Sequence, residues 1–381
     1  MSIRHYTLPV EETKWEVPSG NTTIFNWEYD ESRDRLLTLY EKGKEKQWNA
    51  QTRLDWSIEV DPGSESNSPD HYIPIYGSDM WEALDEKGKT EVRHHIGSWM
   101  NSQFLHGEQG ALICASKIVQ TVPDMDSKFY AATQVMDEAR HVEMYGQYVR
   151  DKIELAYPIN EHLKALLNDV IEDKRWDMTY LGMQVVIEGL ALAAFSLIRD
   201  FSEEPLAKAI NTYVMQDEAR HVAFGRLALK DFYPELTQVE RDEREEFVVE
   251  ACYLMRDRFQ AKEVWERLGF DVKRCLDFTE QSDMMNEFRK MLFSRIVPTV
   301  KDIGLWGPKI RKAYEDMGVI QFQDMDPDSL SAEDEAMARK LDTSHGLTSE
   351  QEASAKLAGV DPQRALEVQE TIRLGAEADG D

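Results

Sequence analysis

Asp137-Glu138-Ala139-Arg140-His141 recurs without change as Asp217-Glu218-Ala219-Arg220-His221. Thirty residues before the Glu of each copy stands another Glu in an apolar run. Glu108 lies in Leu105-His106-Gly107-Glu108-Gln109-Gly110-Ala111-Leu112, and Glu188 in Val185-Val186-Ile187-Glu188-Gly189-Leu190-Ala191-Leu192. The pattern Glu, then Glu-x-x-His, therefore occurs twice with an offset of eighty residues. A repeat of this kind is a fold signature in its own right.

Residues three apart share one face of a helix. Glu138 and His141 can therefore reach one metal ion together, and so can Glu218 and His221. Thirty residues is enough for a helix to end, turn and return beside itself at 1.5 Å per residue. Two such hairpins, facing each other, bring four carboxylates and two imidazoles into one bundle core. One Glu from each of two helices and Glu-x-x-His from each of the other two is the ligand set of a dinuclear carboxylate site. We therefore read Glu108, Glu138, His141, Glu188, Glu218 and His221 as metal ligands. A charge such as Glu188 inside an apolar helix must be paired or bind metal. Oxygen and imidazole ligands suit iron or manganese, and zinc also fits such a set.

Metal-bound histidines usually donate their second N–H to a carboxylate. Asp137 and Asp217, each four residues before a ligand histidine, are expected in that role. Arg140 and Arg220 would complete the network. The spacing leaves open whether each Asp serves its own histidine or that of the other repeat. His106 is two residues from Glu108, hence on another face, and is not expected to be a ligand. His5, His71, His94, His95, His162 and His345 have no partner pattern. No GxGxxG, Walker, GxSxG or HExxH motif is present, so a nicotinamide or flavin would be held by a separate reductase.

The net charge of −28 argues against nucleic acid and anionic membrane surfaces as partners. Cys114, Cys252 and Cys275 are scattered, without CxxC or a disulfide framework, which suggests a reducing compartment and a cytoplasmic protein. The N-terminus has no apolar signal region. The apolar run Leu181–Ile198 has spanning length, but Gln184 and Glu188 within it favour a buried bundle helix.

Breaker and cap residues divide the chain into an N-terminal arm (1–77), a helical metal domain (78–320) and an acidic peripheral C-terminal tail (321–381). The arm is expected to carry one helix, from Ser32 capped by Asp30 to about Trp48, followed by a long loop over 50–77. The helical domain is expected to run as helices over about 80–121 (broken in the eighties), from Asp124 or Asp126 to about Tyr157, 160–173, 174–201, Pro205 to Pro234, 238–268, 282–296 and 307–317. The tail is expected to hold short helices near 332–341 and 349–374. No stretch alternates with period two for long enough to make a sheet.

On the repeated ligand pattern, the chain resembles the ferritin-like di-iron carboxylate superfamily over roughly residues 80–235. Within it, it is similar to ribonucleotide reductase small subunits and related ligand-binding oxidases and oxygenases. The resemblance implies an all-α fold, a ferritin-like four-helix bundle expanded with flanking helices. It implies a di-iron oxygenase or oxidase, with two Fe ions (or Fe/Mn or Mn) and O2 as co-substrate. Such an enzyme would hydroxylate, desaturate or N-oxygenate a small organic molecule, drawing electrons from an external reductase or ferredoxin, and would form a homodimer. Tyr145, one turn after His141, occupies the position of the radical-bearing tyrosine of ribonucleotide reductase small subunits, which implies a redox role and, as an alternative, a radical-generating subunit. An iron-storage or structural metal bundle is a further alternative. Leu192, four residues after Glu188, departs from the Thr that many bacterial multicomponent hydroxylases carry there. Leu190, Ala191, Ala194, Phe195 and Phe224 are candidates to line an apolar pocket beside the metals.

Overall fold

A computed structural model of the chain describes residues 5–7, 20–25 and 33–344. The cap expected at Asp30 and the helix expected near 349–374 lie outside the described residues. Four long helices form the core. Glu86–Thr121 (α2) starts where Asp85 accepts from the Gly88 amide, just after the short Ser78-capped turn Asp79–Glu82, so the break expected in the eighties is present. Met125–Tyr148 (α3) follows Pro123 and is capped by the Asp124 side chain, which accepts from the Ser127 amide. The second hairpin begins with Trp176–Tyr180, passes through the π-helical stretch Leu181–Ile187 and continues as Glu188–Phe201; the three form one helix, α5. Pro205–Phe232 (α6) has proline in its first turn, and the Glu204 carboxylate accepts from the Leu206 and Ala207 amides. These carboxyl and proline caps satisfy helix-end groups that would otherwise be orphaned inside the protein.

The helix α2 packs along α3, and α5 along α6, as two hairpins that meet face to face. Glu161–Glu172 (α4) joins them. Asp34–Glu45 (α1) lies across α3 and α6. On the other flank stand Gln238–Asp257 (α7), Ile296–Asp302 (α8) and Pro308–Asp316 (α9). The core contains Phe104, Ile118, Tyr145, Leu166, Tyr180, Phe195 and Phe224, all buried. Burial of one such large side chain contributes about 1.5–3 kcal/mol. Close approach between elements needs glycine at Gly225, where an added Cβ would stand 2.5 Å from Gln184 Cβ.

The α5 helix is the one described helix long and apolar enough to cross a membrane, and 78% of its apolar window is buried inside the bundle. Its π-helical stretch ends at the residue before Glu188. An extra residue per turn of this kind rotates the helix face and is common at functional sites.

Several boundaries differ from the sequence reading. The helix expected to reach Tyr157 ends in a π-turn, Val149–Ile153, and is stopped by Glu154 in a left-handed conformation (φ 60°). Leu155–Ala156 then pairs in parallel with His5–Tyr6, too short a pairing for alternation to reveal. The helix expected over 238–268 breaks at Ala261 (φ 51°), and Val272–Gln281 is a helix that the sequence reading missed. The acidic tail is not wholly peripheral. Pro327–Ser344 (α10) packs on α6, and buried Asp334 pairs with Arg295 at 2.9 Å. Asp334 faces Arg295 and Arg199, Asp328 pairs with Arg226, and Ala338 is buried in the core, so a sparse helix is seated by a few contacts with the bundle.

Candidate metal centre

The six repeated side chains meet at the centre of the bundle. They form two overlapping groups, Glu108, Glu138, His141 and Glu218, and Glu138, Glu188, Glu218 and His221. Within each group one ligand atom per residue lies within 4.8 Å of all the others. Glu138 and Glu218 belong to both groups, so they stand where bridging carboxylates would. Glu108 and Glu188 each belong to one group and stand where terminal ligands would. All six are buried.

The imidazoles present the same nitrogen inward. His141 Nδ1 lies 3.2 Å from Glu108 Oε2 and 3.1 Å from Glu218 Oε1. His221 Nδ1 lies 3.1 Å from Glu138 Oε1 and 3.3 Å from Glu218 Oε2. Three inward carboxylate oxygens, Glu138 Oε2, Glu188 Oε2 and Glu218 Oε1, have no hydrogen-bond donor. Buried carboxylate oxygens without partners are costly. A pair of divalent cations supplies what these oxygens lack, and the oxygen and imidazole donor set fits iron or manganese. Burial raises the Glu108 carboxyl to about 8, partly offset by His141. Burial also raises Glu188, reinforced by the charges of Glu218 and Glu138. Glu138 goes the other way: burial raises it, but His221 and His141 outweigh burial and hold it below its usual range. Both histidines rise well above their usual value, the surrounding carboxylates overriding burial.

Behind the histidines the two repeats are cross-wired. His141 Nε2 donates to Asp217 Oδ2 at 3.1 Å, and His221 Nε2 donates to Asp137 Oδ2 at 3.2 Å. Each aspartate therefore serves the histidine of the other repeat. Arg140 Nη2 donates to both, Asp137 Oδ1 at 2.5 Å and Asp217 Oδ2 at 2.7 Å. Arg220 Nη2 donates to Asp217 Oδ1 at 2.5 Å. Burial raises Asp217, but Arg220, His141 and Arg140 outweigh it and hold the carboxyl well below its usual range. A carboxylate behind each imidazole fixes the tautomer that leaves Nδ1 free for metal.

Sequence reasoning missed three contributors. Trp48 Nε1 donates to Asp217 Oδ2 at 2.8 Å, and Gln47 Nε2 donates to Asp137 Oδ1 at 2.7 Å. Both come from the arm after α1, which closes over the aspartates; nothing local marks them. Gln134 Nε2 donates to Glu138 Oε1 at 3.0 Å and to Glu188 Oε1 at 2.9 Å. Its position, one turn before Glu138, was a signal that could have been read. His106 is no ligand: its Nε2 donates to the Tyr157 carbonyl at 2.9 Å. Tyr145 is buried between Phe104 and Phe195, and its hydroxyl donates to Asn211 Oδ1 at 3.2 Å. Ala191 and Phe195 line a cavity of about 30 Å³ that reaches Glu108, Glu188 and Glu218. Leu190, Leu192, Ala194 and Phe224 are core instead of that cavity's wall.

Comparison with known proteins gives no match among curated proteins. Similar solved structures include an R2-like ligand-binding oxidase variant with anaerobically reconstituted Mn/Fe cofactor, at 16% identity and a TM-score of 0.44, covering 74% of this chain and 96% of that one. An R2-like ligand-binding oxidase with aerobically reconstituted metal cofactor after photoconversion is similar at 16% identity and a TM-score of 0.44, covering 73% of this chain and 96% of that one. Residues 29–304, nearly three quarters of the chain, match the profile of the p-aminobenzoate N-oxygenase AurF. That span contains all six inward-facing glutamates and histidines, their aspartates and arginines, and the Gln47–Trp48 cover: the chain belongs to the AurF family, and is an oxidoreductase of the ferritin-like di-iron class.

Proposed function

We propose that the chain is a monooxygenase that transfers one oxygen atom of O2 to a small organic substrate, the nitrogen of an amine being the favoured target. The balance is R–NH2 + O2 + 2 e⁻ + 2 H⁺ → R–NHOH + H2O, with the electrons supplied by an external reductase or ferredoxin. The observation that carries this reading is the pair of four-residue clusters sharing Glu138 and Glu218. When bound there, two iron ions supply O2 activation and the two-electron chemistry of oxygen transfer.

The protein's own residues have separable tasks. We assign Glu108 and His141 to one metal, Glu188 and His221 to the other, and Glu138 and Glu218 to both. Asp137 and Asp217 keep the imidazole protons on Nε2, so Nδ1 stays available. Gln134 fixes one oxygen each of Glu138 and Glu188 and leaves their other oxygens free. Phe104, Ala111, Ile187, Ala191 and Phe195 make the cavity wall apolar and keep bulk water from the site.

Tyr145 carries a second reading, as a redox relay. Its ring is packed one turn beyond His141 and its hydroxyl is held by Asn211, which lines a neighbouring cavity. A radical signal after O2 addition that Tyr145→Phe abolishes would establish that role. We further propose a cytoplasmic homodimer. The three buried free thiols fit a reducing compartment, and sedimentation of the purified chain tests the dimer.

The deciding experiment is anaerobic ferrous titration with metal analysis, then O2 addition followed by absorbance. The expected result is two irons per chain and a transient visible absorption. A single bound zinc with no response to O2 would overturn the oxygenase reading and leave a structural metal bundle.

A further inference from the structure

The two hairpins are repeats of one another, yet only one of them is covered on its outer side. On the second hairpin Ala193, Gln216 and Ala219 are buried. Ile296 of α8 stands over Gly189, and α10 lies along α6. Eighty residues earlier the matching positions are open. Gln109, Ile113, Met136 and Ala139 are exposed, Met136 by 61% where its counterpart Gln216 is exposed by 2%. Leu105 lies against Gly146 across the seam of the first hairpin, so the outward sides of α2 and α3 make one continuous surface.

This surface gathers half of the large apolar side chains that stand exposed among the described residues. Ile113, Phe129 and Met136 lie on it. Exposed Ile24 and Phe25 border it where the Ile24 amide donates to the Gln120 carbonyl at 3.0 Å. A contiguous apolar patch of this kind marks an interaction site.

Charge says which partner fits. The chain carries −28, yet the outward positions of α2 between Leu105 and Gln120 hold no charged side chain. Lys117 turns the other way and donates to the Val170 and Ile171 carbonyls at the end of α4, each at 2.9 Å. On α3 the outward charges are two. Lys128 donates to the Val119 carbonyl at 2.9 Å, and Glu143 accepts from Gln51 at 3.0 Å at the margin. A partner recognised by charge finds little here to pair with. Two copies of so acidic a chain repel as wholes, and they can touch only through a face without like charges. From 1.5 Å per residue and an interhelical spacing of about 10 Å, the surface measures roughly 30 Å by 20 Å, so a symmetric pair buries about 1,200 Å², above the ~1,000 Å² that a specific interface needs.

We infer that the outer surface of the α2–α3 hairpin is where a second copy of this chain docks, hairpin against hairpin about a two-fold axis. This rests on the homodimer reading and gives it a face. The partner's hairpin supplies for the first repeat the cover that α8 and α10 supply for the second.

The test is sedimentation equilibrium of the full chain across micromolar concentrations. The wild type should be a dimer. Ile113→Glu and Met136→Glu should each weaken the dimer ~100-fold or more, because a two-fold axis places every added carboxylate in the interface twice. Val239→Glu, at an equally exposed apolar side chain on α7, should leave the dimer unchanged. Anaerobic Co2+ titration should be the same in all four proteins, since none of these side chains reaches the metal cluster. With Cys114, Cys252 and Cys275 buried, maleimide labelling of Met136→Cys should slow as protein concentration rises. A dimer that both glutamates leave intact would overturn the inference while the homodimer reading stands. A monomeric wild type would overturn both. Slow labelling of Met136→Cys in a monomer would also overturn it, by showing that the chain covers this surface itself.

Discussion

The cross-wired aspartates make a prediction that an uncrossed site would not. Asp217→Asn preserves volume but removes the carboxylate that accepts from His141 Nε2 at 3.1 Å. Arg140, Arg220 and Trp48 lose the same acceptor charge. Loss of such a carboxylate typically lowers metal affinity 10- to 100-fold, about 1.4–2.7 kcal/mol. The cost should fall on the cluster that contains His141, not on the one that follows Asp217 in sequence. Anaerobic Co2+ titration by absorbance separates the cases when combined with His141→Ala, which leaves only the His221 cluster. In that background Asp217→Asn should change the remaining affinity by less than about threefold, whereas Asp137→Asn should cost the full factor, the non-additivity that a shared partner produces. The mirror-image result is expected in His221→Ala. Equal losses from Asp217→Asn in both backgrounds would refute the crossed assignment.

Gln134→Leu removes the donor to Glu138 and Glu188, and should weaken metal at the Glu188/His221 cluster by ~10-fold or more with little effect on the other, read by the same titration. Gly225→Ala should destabilise by about 1–3 kcal/mol, because the new methyl meets Gln184 in the π-helical stretch before Glu188; a melt unchanged from wild type would show that α5 and α6 can separate freely. Asp334 is raised to about 6 by burial, despite Arg295 and Arg199. Its folded-state value lies above the unfolded one, so the stability it contributes is full below about 4 and is lost as pH rises through about 6. Asp334→Asn should flatten that segment of the stability profile, measured by urea unfolding between pH 4 and 7.

The convergence of the six glutamates and histidines was legible because helix geometry is local. Glu138 and His141 share a face by virtue of their spacing alone, and an apolar run around Glu188 demands a partner for its charge. The cap at Asp124 and the first-turn Pro205 were likewise readable, since each acts within the next few residues. The tail was misjudged for the complementary reason. Composition reports the number of apolar groups, while α10 is seated by Asp334 facing Arg295 and Arg199, by Asp328 on Arg226 and by buried Ala338.

The sequence by itself determined an all-helical bundle and the six side chains that meet at its centre, because both follow from spacing and charge within single helices. Only the tertiary structure decided which aspartate serves which histidine, and that Gln47 and Trp48 close the network. These depend on how separate helices rotate and cross, with a π-turn in α5 resetting the face of Glu188. Packing between distant segments sets those angles, and no local pattern encodes them.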